Sequence, residues 1–153
     1  MKTLCTAVSS WVVVAILTSP NPCFAASVAE DYNFSERCGK RAQEVFEKSN
    51  STPVEKDENG QLISLYTNHY NKKLNKCFIL VTVTYLSKNE KKSVSYKQVQ
   101  LYDINENKEY GVLFTQIDPF MPTIYPPMQC TFLEKTCRST EEWNSLQKPY
   151  MEE

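Results

Sequence analysis

Cysteine is the residue type with the clearest chemistry in this sequence, which has 153 residues, six cysteines and one histidine. Two of the cysteines, Cys5 and Cys23, lie close to the N-terminus, and the other four lie in the body of the chain. Those four are Cys38, Cys77, Cys130 and Cys137. An even number of cysteines in an exported chain predicts two disulfides. Of the three possible pairings we favour Cys38–Cys77, from a helix to a central strand, and Cys130–Cys137, a short local loop.

Zinc binding and thiol catalysis are the two alternative uses of these cysteines. The spacings contain no Cys-x-x-Cys pair, and the only histidine, His69, is far from them in the sequence, so a zinc site is disfavoured. A catalytic thiol requires a free cysteine beside a base, and paired cysteines do not supply one. We therefore expect no metal site.

His69 is the only histidine, the residue type most often used as a general base. No serine or cysteine nucleophile motif surrounds it, and a single histidine in a strand is usually structural. Three glycines are too few for a phosphate-binding loop. The sequence therefore predicts no catalytic residues and no cofactor, and an enzyme that uses His69 is kept as an alternative.

Residues 1–25 have the pattern of a secretory signal peptide. Lys2 supplies the positive charge, Trp11–Leu17 supplies the apolar run, and Ala25 precedes the expected cleavage site. The apolar run is far shorter than the roughly 20 residues that span a bilayer, so we expect no transmembrane segment. These features predict a secreted or periplasmic protein, with residues 26–153 forming a single domain.

The charge balance bears on the kind of partner. The chain has 17 basic and 18 acidic residues, and a dedicated nucleic-acid binder usually has a clear basic excess. Two lysine-rich turns, at residues 71–76 and 87–93, should lie at opposite ends of one strand. They would therefore not form one groove for a phosphate backbone, and we expect no nucleic-acid partner.

The hydrophobic patterning predicts an α+β fold. An amphipathic helix over residues 34–48 should pack on a four-stranded antiparallel meander, followed by a proline-rich strap over 117–129 and a short C-terminal helix over 140–148. The predicted strands are residues 61–70, 77–86, 94–103 and 109–116. We expect Asn33 to cap the first helix, and Ser139 with Glu142 to form a capping box for the second.

The alternation of side chains along the strands separates the two faces of this sheet. The face that holds Cys77, Ile79 and Val81 should lie under the first helix, together with Val99 and Leu101. The other face should be rich in tyrosine and amide side chains, and tyrosine on an open sheet is a common binding surface. Its candidate binding residues are Tyr66, Asn68, Tyr70, Tyr96, Gln98, Gln100 and Tyr102.

One segment resembles a known group of proteins. The stretch from His69-Tyr70-Asn71 to Lys76-Cys77-Phe78 is similar to a segment of small exported bacterial proteins, which also have a Leu-Tyr-Asp element, here Leu101–Asp103, and a C-terminal cysteine pair. The resemblance implies export and a structural role for Cys77. It implies no activity.

These observations favour a non-enzymatic binding or interaction protein whose partner is another envelope or extracellular protein. A small-ligand carrier, with an apolar cavity between the sheet and the strap, is the second hypothesis. A helix on a curved sheet is also the plan of cystatin-like exported folds, which is an analogy of fold alone.

Overall fold

An antiparallel sheet of seven strands lies between two helices in the computed structural model, which describes residues 22–49, 52–88, 94–118 and 125–152. The strands pair in sequence order, so the sheet is a meander. The elements are α1 (Pro22–Ser49), β1 (Val54–Lys56), β2 (Gly60–Asn71), β3 (Lys76–Ser87), β4 (Ser95–Asp103), β5 (Lys108–Ile117), β6 (Gln129–Phe132), β7 (Lys135–Thr136) and α2 (Thr140–Met151).

The four predicted strands are present as β2 to β5, each within two residues of its predicted ends. β3 is central because it is rich in β-branched and aromatic residues and apolar on both sides, which suits a strand covered on both faces. Its register opposes Ile79 to Tyr102 and Leu80 to Leu101. The β2–β3 turn ends at Asn75 and the β4–β5 turn ends at Asn107, both with φ of 52°, a left-handed geometry that asparagine tolerates.

The prediction of only four strands was wrong, because three short strands extend the sheet at its edges. β1 lies in the polar segment before Gly60, which has no alternating strand pattern. β6 and β7 form a hairpin whose central residues, Leu133 and Glu134, have φ of 44° and 65°. Hairpin turns of this kind usually contain asparagine and glycine, so these residues give no turn signal. The disulfide Cys130–Cys137 closes the hairpin, with Cα atoms 5.0 Å apart.

α1 begins at Pro22 rather than at residue 34. Asn33 is therefore inside the helix and does not cap it. The added turns are joined to the β2–β3 turn by an ion pair of 2.8 Å between Asp31 and Lys72, and Phe34, where the predicted helix began, stacks on Tyr70 at 5.3 Å. Most of the expected signal peptide, residues 1–21, lies outside the described residues, and its last four residues form the first turn of α1.

α2 begins as predicted, since Ser139 Oγ accepts a hydrogen bond from Glu142 N at 3.1 Å. The predicted end at Lys148-Pro149 was wrong, because the helix continues through Pro149 to Met151. The amide of Asn71 on β2 donates to the carbonyl of Pro149 at 2.9 Å. This contact satisfies a carbonyl of the last turn, which has no partner within the helix.

The α2 face of the sheet holds the larger core. Its buried members are Phe78, Val99, Leu101, Leu113, Cys130, Phe132, Cys137 and Trp143. Trp143 packs edge-on against Phe132, with ring centroids 5.5 Å apart. Gly111 on β5 makes this approach possible, because a Cβ there would lie 2.7 Å from both the Trp143 ring and the carbonyl of Thr131.

The α1 face holds the smaller core, in which the disulfide Cys38–Cys77 packs with Ala42, Phe46, Ile79 and Ile104. Cys77, Ile79 and Val81 lie under α1, as predicted. Val99 and Leu101 lie on the opposite, α2 face, so their predicted side was wrong.

The error has a physical reason: β3 is apolar on both faces, so matching apolar residues across strands does not fix the side on which β4 faces α1. On the α2 face, Tyr150 of α2 packs edge-on against Phe78, with ring centroids 5.4 Å apart. Residues 119–124 of the strap lie outside the described residues.

Candidate functional site: a cleft between α1 and the sheet

α1 covers only one side of its own face of the sheet. It packs on β2 and β3, where the disulfide brings the Cα atoms of Cys38 and Cys77 to 5.5 Å. Phe46 contacts Tyr66 with ring centroids 4.6 Å apart. The β4 side of the helix is left open, and a cleft runs along it between α1 and the strands, which we call the α1 cleft.

The half of the cleft beside the C-terminal turns of α1 is an apolar groove of about 620 Å³. Its floor is formed by alternate residues of β3, and its wall by four residues of the helix. The lining residues are Arg41, Val45, Phe46, Ser49, Ile79, Val81, Val83, Gln100, Tyr102, Ile104 and Asn107. This volume lies within the range of small-molecule sites, which are mostly apolar with a few polar groups at defined positions.

Polar groups stand along the β4 wall of this groove. Gln100 donates to Glu109 on β5 at 3.4 Å. Burial, followed by the charge of Glu109, raises the pKa of Tyr102. Tyr102 therefore keeps its proton at neutral pH, and its hydroxyl remains a hydrogen-bond donor.

The other half of the cleft is a basic groove of about 570 Å³ near the β2–β3 and β4–β5 turns. It is lined by Phe34, Arg37, Cys38, Lys40, Arg41, Glu44, Tyr70, Asn75, Cys77 and Asn105. The hydroxyl of Tyr70 donates to Asn75 at 2.7 Å, which fixes the turn at this end. Arg41 lines both grooves, so the apolar half and the basic half adjoin.

The charges of the basic groove are only partly balanced. Lys40 is 2.7 Å from Glu36, a hydrogen bond that raises the pKa of Lys40. Arg41 is 3.1 Å from Glu44. Within the described ranges, Arg37 has no ion-pair partner. The basic groove thus has an excess of positive charge next to an apolar surface.

The seven predicted binding residues do share one face, but it is the α1 face and not an uncovered one. α1 covers Tyr66 and Tyr70 with its own aromatic side chains, and Gly39 passes close to the Asn68 amide. Gln100 and Tyr102 line the apolar groove. Beyond it, Tyr96 stacks on Phe114 at 5.5 Å and Gln98 is half-buried.

Sequence reasoning missed the contribution of the helix to this site. Arg37, Arg41 and Val45 are spaced four residues apart, which places them on one side of a helix. Their spacing next to a buried apolar stripe is the signal that could have identified the wall of a cleft.

His69 does not belong to the α1 cleft. It lies opposite Phe78 in the β2–β3 register and on the α2 face, as its alternation with Asn68 and Tyr70 requires. In the part of the chain that the structure describes, no three His, Cys, Asp or Glu side chains are grouped to hold a metal ion.

An ion pair around the fully buried carboxylate of Asp103 also lies outside the cleft. Lys76 Nζ is 2.7 Å from Asp103 and 2.8 Å from Glu106, and Asp103 accepts the backbone N–H of Asn105 at 2.9 Å. These bonds hold the β4–β5 turn against the end of β3 and raise the pKa of Lys76. Their role is structural.

No protein-family model, curated protein or solved structure matches this chain. Among the described helices, none is long and apolar enough to cross a membrane. The two disulfides are compatible with a secreted or periplasmic location, where such bonds persist.

Proposed function

We propose that this chain is an exported, non-enzymatic binding protein, and that its α1 cleft binds a small ligand with an apolar body and an acidic head. The observation that carries the proposal is the junction of the two grooves at Arg41. A ligand of mixed chemistry would occupy both halves at once.

The apolar groove supports the apolar body of the ligand. Val45 and Phe46 face Ile79, Val81 and Val83 across a space that a hydrocarbon chain fills. Removal of this surface from water contributes about 25 cal/mol per Å² of buried apolar area. An alkyl chain that lies along the floor would therefore supply most of the binding free energy.

The basic groove supports the acidic head. Arg37 has no ion-pair partner among the described residues, and the salt bridge of Arg41 to Glu44 is exposed and therefore weak. A carboxylate at this end would accept hydrogen bonds from the two guanidinium groups, in the fork geometry that arginine offers.

We expected a small ligand to bind in a cavity between the sheet and the strap. The site that we now propose for it is the α1 cleft. The alternative of an enzyme that uses His69 has no support from the cleft, because His69 lies on the other face of the sheet. An envelope or extracellular protein as partner stays a prediction.

The test is calorimetric titration of the purified, oxidised protein with dodecanoate and, in parallel, with dodecanol. The two probes share a chain and differ in the charge of the head. We expect dodecanoate to bind about tenfold more tightly, since a charge-assisted contact is worth about 1.4 kcal/mol or more.

Two variants locate the site. Arg37→Gln should reduce the preference for dodecanoate, and Val81→Glu should abolish the binding of both probes. Arg138→Gln is the matched control, because Arg138 is an exposed arginine that lines neither groove. Absence of binding by the wild-type protein, or equal loss in Arg138→Gln and Arg37→Gln, would overturn the proposal.

A further inference from the structure

The outer edge of β2 is open over residues 65–70. β1 pairs only with Gln61, Leu62 and Ile63, and the last bond on this side runs from Ser64 N to the carbonyl of Pro53 at 2.8 Å. Among the described residues, no strand follows on that side. Since bonding direction alternates along an antiparallel strand, the N–H and C=O groups of Tyr66, Asn68 and Tyr70 point outward.

This edge lacks the features that usually prevent strand pairing, which are lysine, proline, a bulge or very short length. Residues 65–70 contain no lysine, arginine, aspartate, glutamate or proline. Leu65 is 60% exposed. The opposite edge is protected, because β7 has only two residues and one of them is Lys135.

The open stretch is complementary to itself. An antiparallel two-fold pairing centred on Asn68 would place Tyr66 opposite Tyr70 of the second copy. All outward groups of the three residues would then be paired, giving six hydrogen bonds. β1 bounds the stretch at one end and the β2–β3 turn bounds it at the other, so the partner strand ends where β1 begins.

The outer side of α1 extends the same surface above the sheet. Gly39 and Phe46 mark the β2 side of the helix through their approach to Asn68 and Tyr66. Tyr32 is seven residues before Gly39 and therefore on that side; it is 69% exposed, and Val28 one turn earlier is 57% exposed. A lone peptide strand in the plane of the sheet would leave these side chains uncovered.

We infer that the edge of β2 pairs with a second copy of this chain, which gives a two-fold dimer with a continuous sheet of fourteen strands. Paired strands lie about 4.8 Å apart. Because each α1 lies above β2 and β3, the two helices would be about 10 Å apart, the spacing of packed helices. The inference does not depend on the ligand of the α1 cleft, which opens on the other side of the helix.

Sedimentation equilibrium of the wild type and two lysine variants tests the dimer. Thr67→Lys places a charge on the exposed edge, on the α2 face, and should weaken dimerisation at least about tenfold. Leu133→Lys makes the same change in charge at an exposed leucine of the β6–β7 turn, at the opposite edge of the sheet, and should have little effect. A monomeric wild-type protein, or equal effects of both variants, would overturn the inference.

Hydrogen exchange of the wild-type protein tests the register without any substitution. The amides of Thr67 and His69 bond to β3 and should exchange slowly at every protein concentration. The amides of Tyr66, Asn68 and Tyr70 should exchange fast in dilute protein and slowly in concentrated protein. Fast exchange of these three amides in a sample that sediments as a dimer would place the interface elsewhere and overturn the pairing.

Discussion

Apolar residues form a closed core on the α2 face of the sheet and line an open cleft on the α1 face. On the α2 face, Trp143 and Phe78 are fully buried and close a continuous core. On the α1 face, a longer helix leaves Val81 and Val83 half-buried along an open cleft. The difference shows that the length of a covering helix does not determine how well a face is sealed. The large aromatic side chains and the close approach at Gly111 seal the α2 face.

The largest change in stability should come from a substitution at the centre of the α2 core. Phe78→Ala should lower the free energy of unfolding by about 3–5 kcal/mol, the usual cost of deleting a fully buried phenylalanine. Phe78 packs against the rings of Tyr110 and Tyr150, so the cavity would also loosen the end of α2. Urea unfolding followed by circular dichroism measures the change, and a loss below about 1 kcal/mol would contradict a sealed core.

Each face of the sheet contains one disulfide, and the two disulfides should contribute differently to stability. In the chain-entropy model, the bridge Cys38–Cys77 with a sequence separation of 39 contributes about 4 kcal/mol, and the bridge Cys130–Cys137 with a separation of 7 contributes about 2 kcal/mol. The first bridge joins α1 to the sheet, so its removal should also weaken ligand binding in the α1 cleft.

Paired alanine substitutions at each bridge, compared by urea unfolding and by dodecanoate titration, measure both effects. Retention of full dodecanoate affinity by the variant without Cys38–Cys77 would contradict a cleft that depends on the position of α1.

The ion pair between Lys76 and Asp103 lies at the end of the α2 face. It predicts that the free energy of unfolding depends on pH. Lys76→Met should lower the free energy of unfolding by about 1–3 kcal/mol, because it leaves the buried carboxylate of Asp103 without its cation. The hydrogen bonds to Asp103 and Glu106 raise the pKa of Lys76 above its ordinary value of 10.5. Its stabilisation is therefore fully present below that pH and is lost as the pH rises through the folded value.

Unfolding curves of the wild type and Lys76→Met across neutral and alkaline pH measure this effect. Lys108→Met is the control, since Lys108 is an exposed lysine 5.5 Å from the Tyr110 ring and should cost under about 0.5 kcal/mol. The difference in the free energy of unfolding between the wild type and Lys76→Met should shrink as the pH rises. An increase of this difference at alkaline pH would contradict the stabilising role of the charged Lys76.

The central part of the fold could be predicted from the sequence, because its signals are local. β3 is a largely apolar, β-branched run, the β2–β3 and β4–β5 turns contain asparagine, and Ser139 with Glu142 opens α2. The disulfide pairings followed from that arrangement. The β6–β7 turn gave no such signal, since Leu133 and Glu134 adopt positive φ without glycine or asparagine.

The site was harder to predict, because it depends on tertiary contacts. The side on which Gln100 and Tyr102 lie is set by the β3–β4 register, and a strand that is apolar on both faces leaves this choice open. The extension of α1 to Pro22 depends on contacts with Lys72 and Tyr70 across the turn. The sequence of a helix does not specify which strands the helix covers and which it leaves exposed.

The smallest expected effect lies in the floor of the apolar groove. Val81→Ala should lower the free energy of unfolding by only about 1 kcal/mol, because the side chain is half-buried and its removal widens an existing groove instead of creating a closed cavity. The same variant should weaken dodecanoate binding several-fold, since the chain loses contact with the floor. A variant with nearly normal stability and weaker dodecanoate binding would show that the α1 face serves recognition. A loss of stability equal to that of Phe78→Ala, with unchanged dodecanoate binding, would show instead that both faces serve only as core.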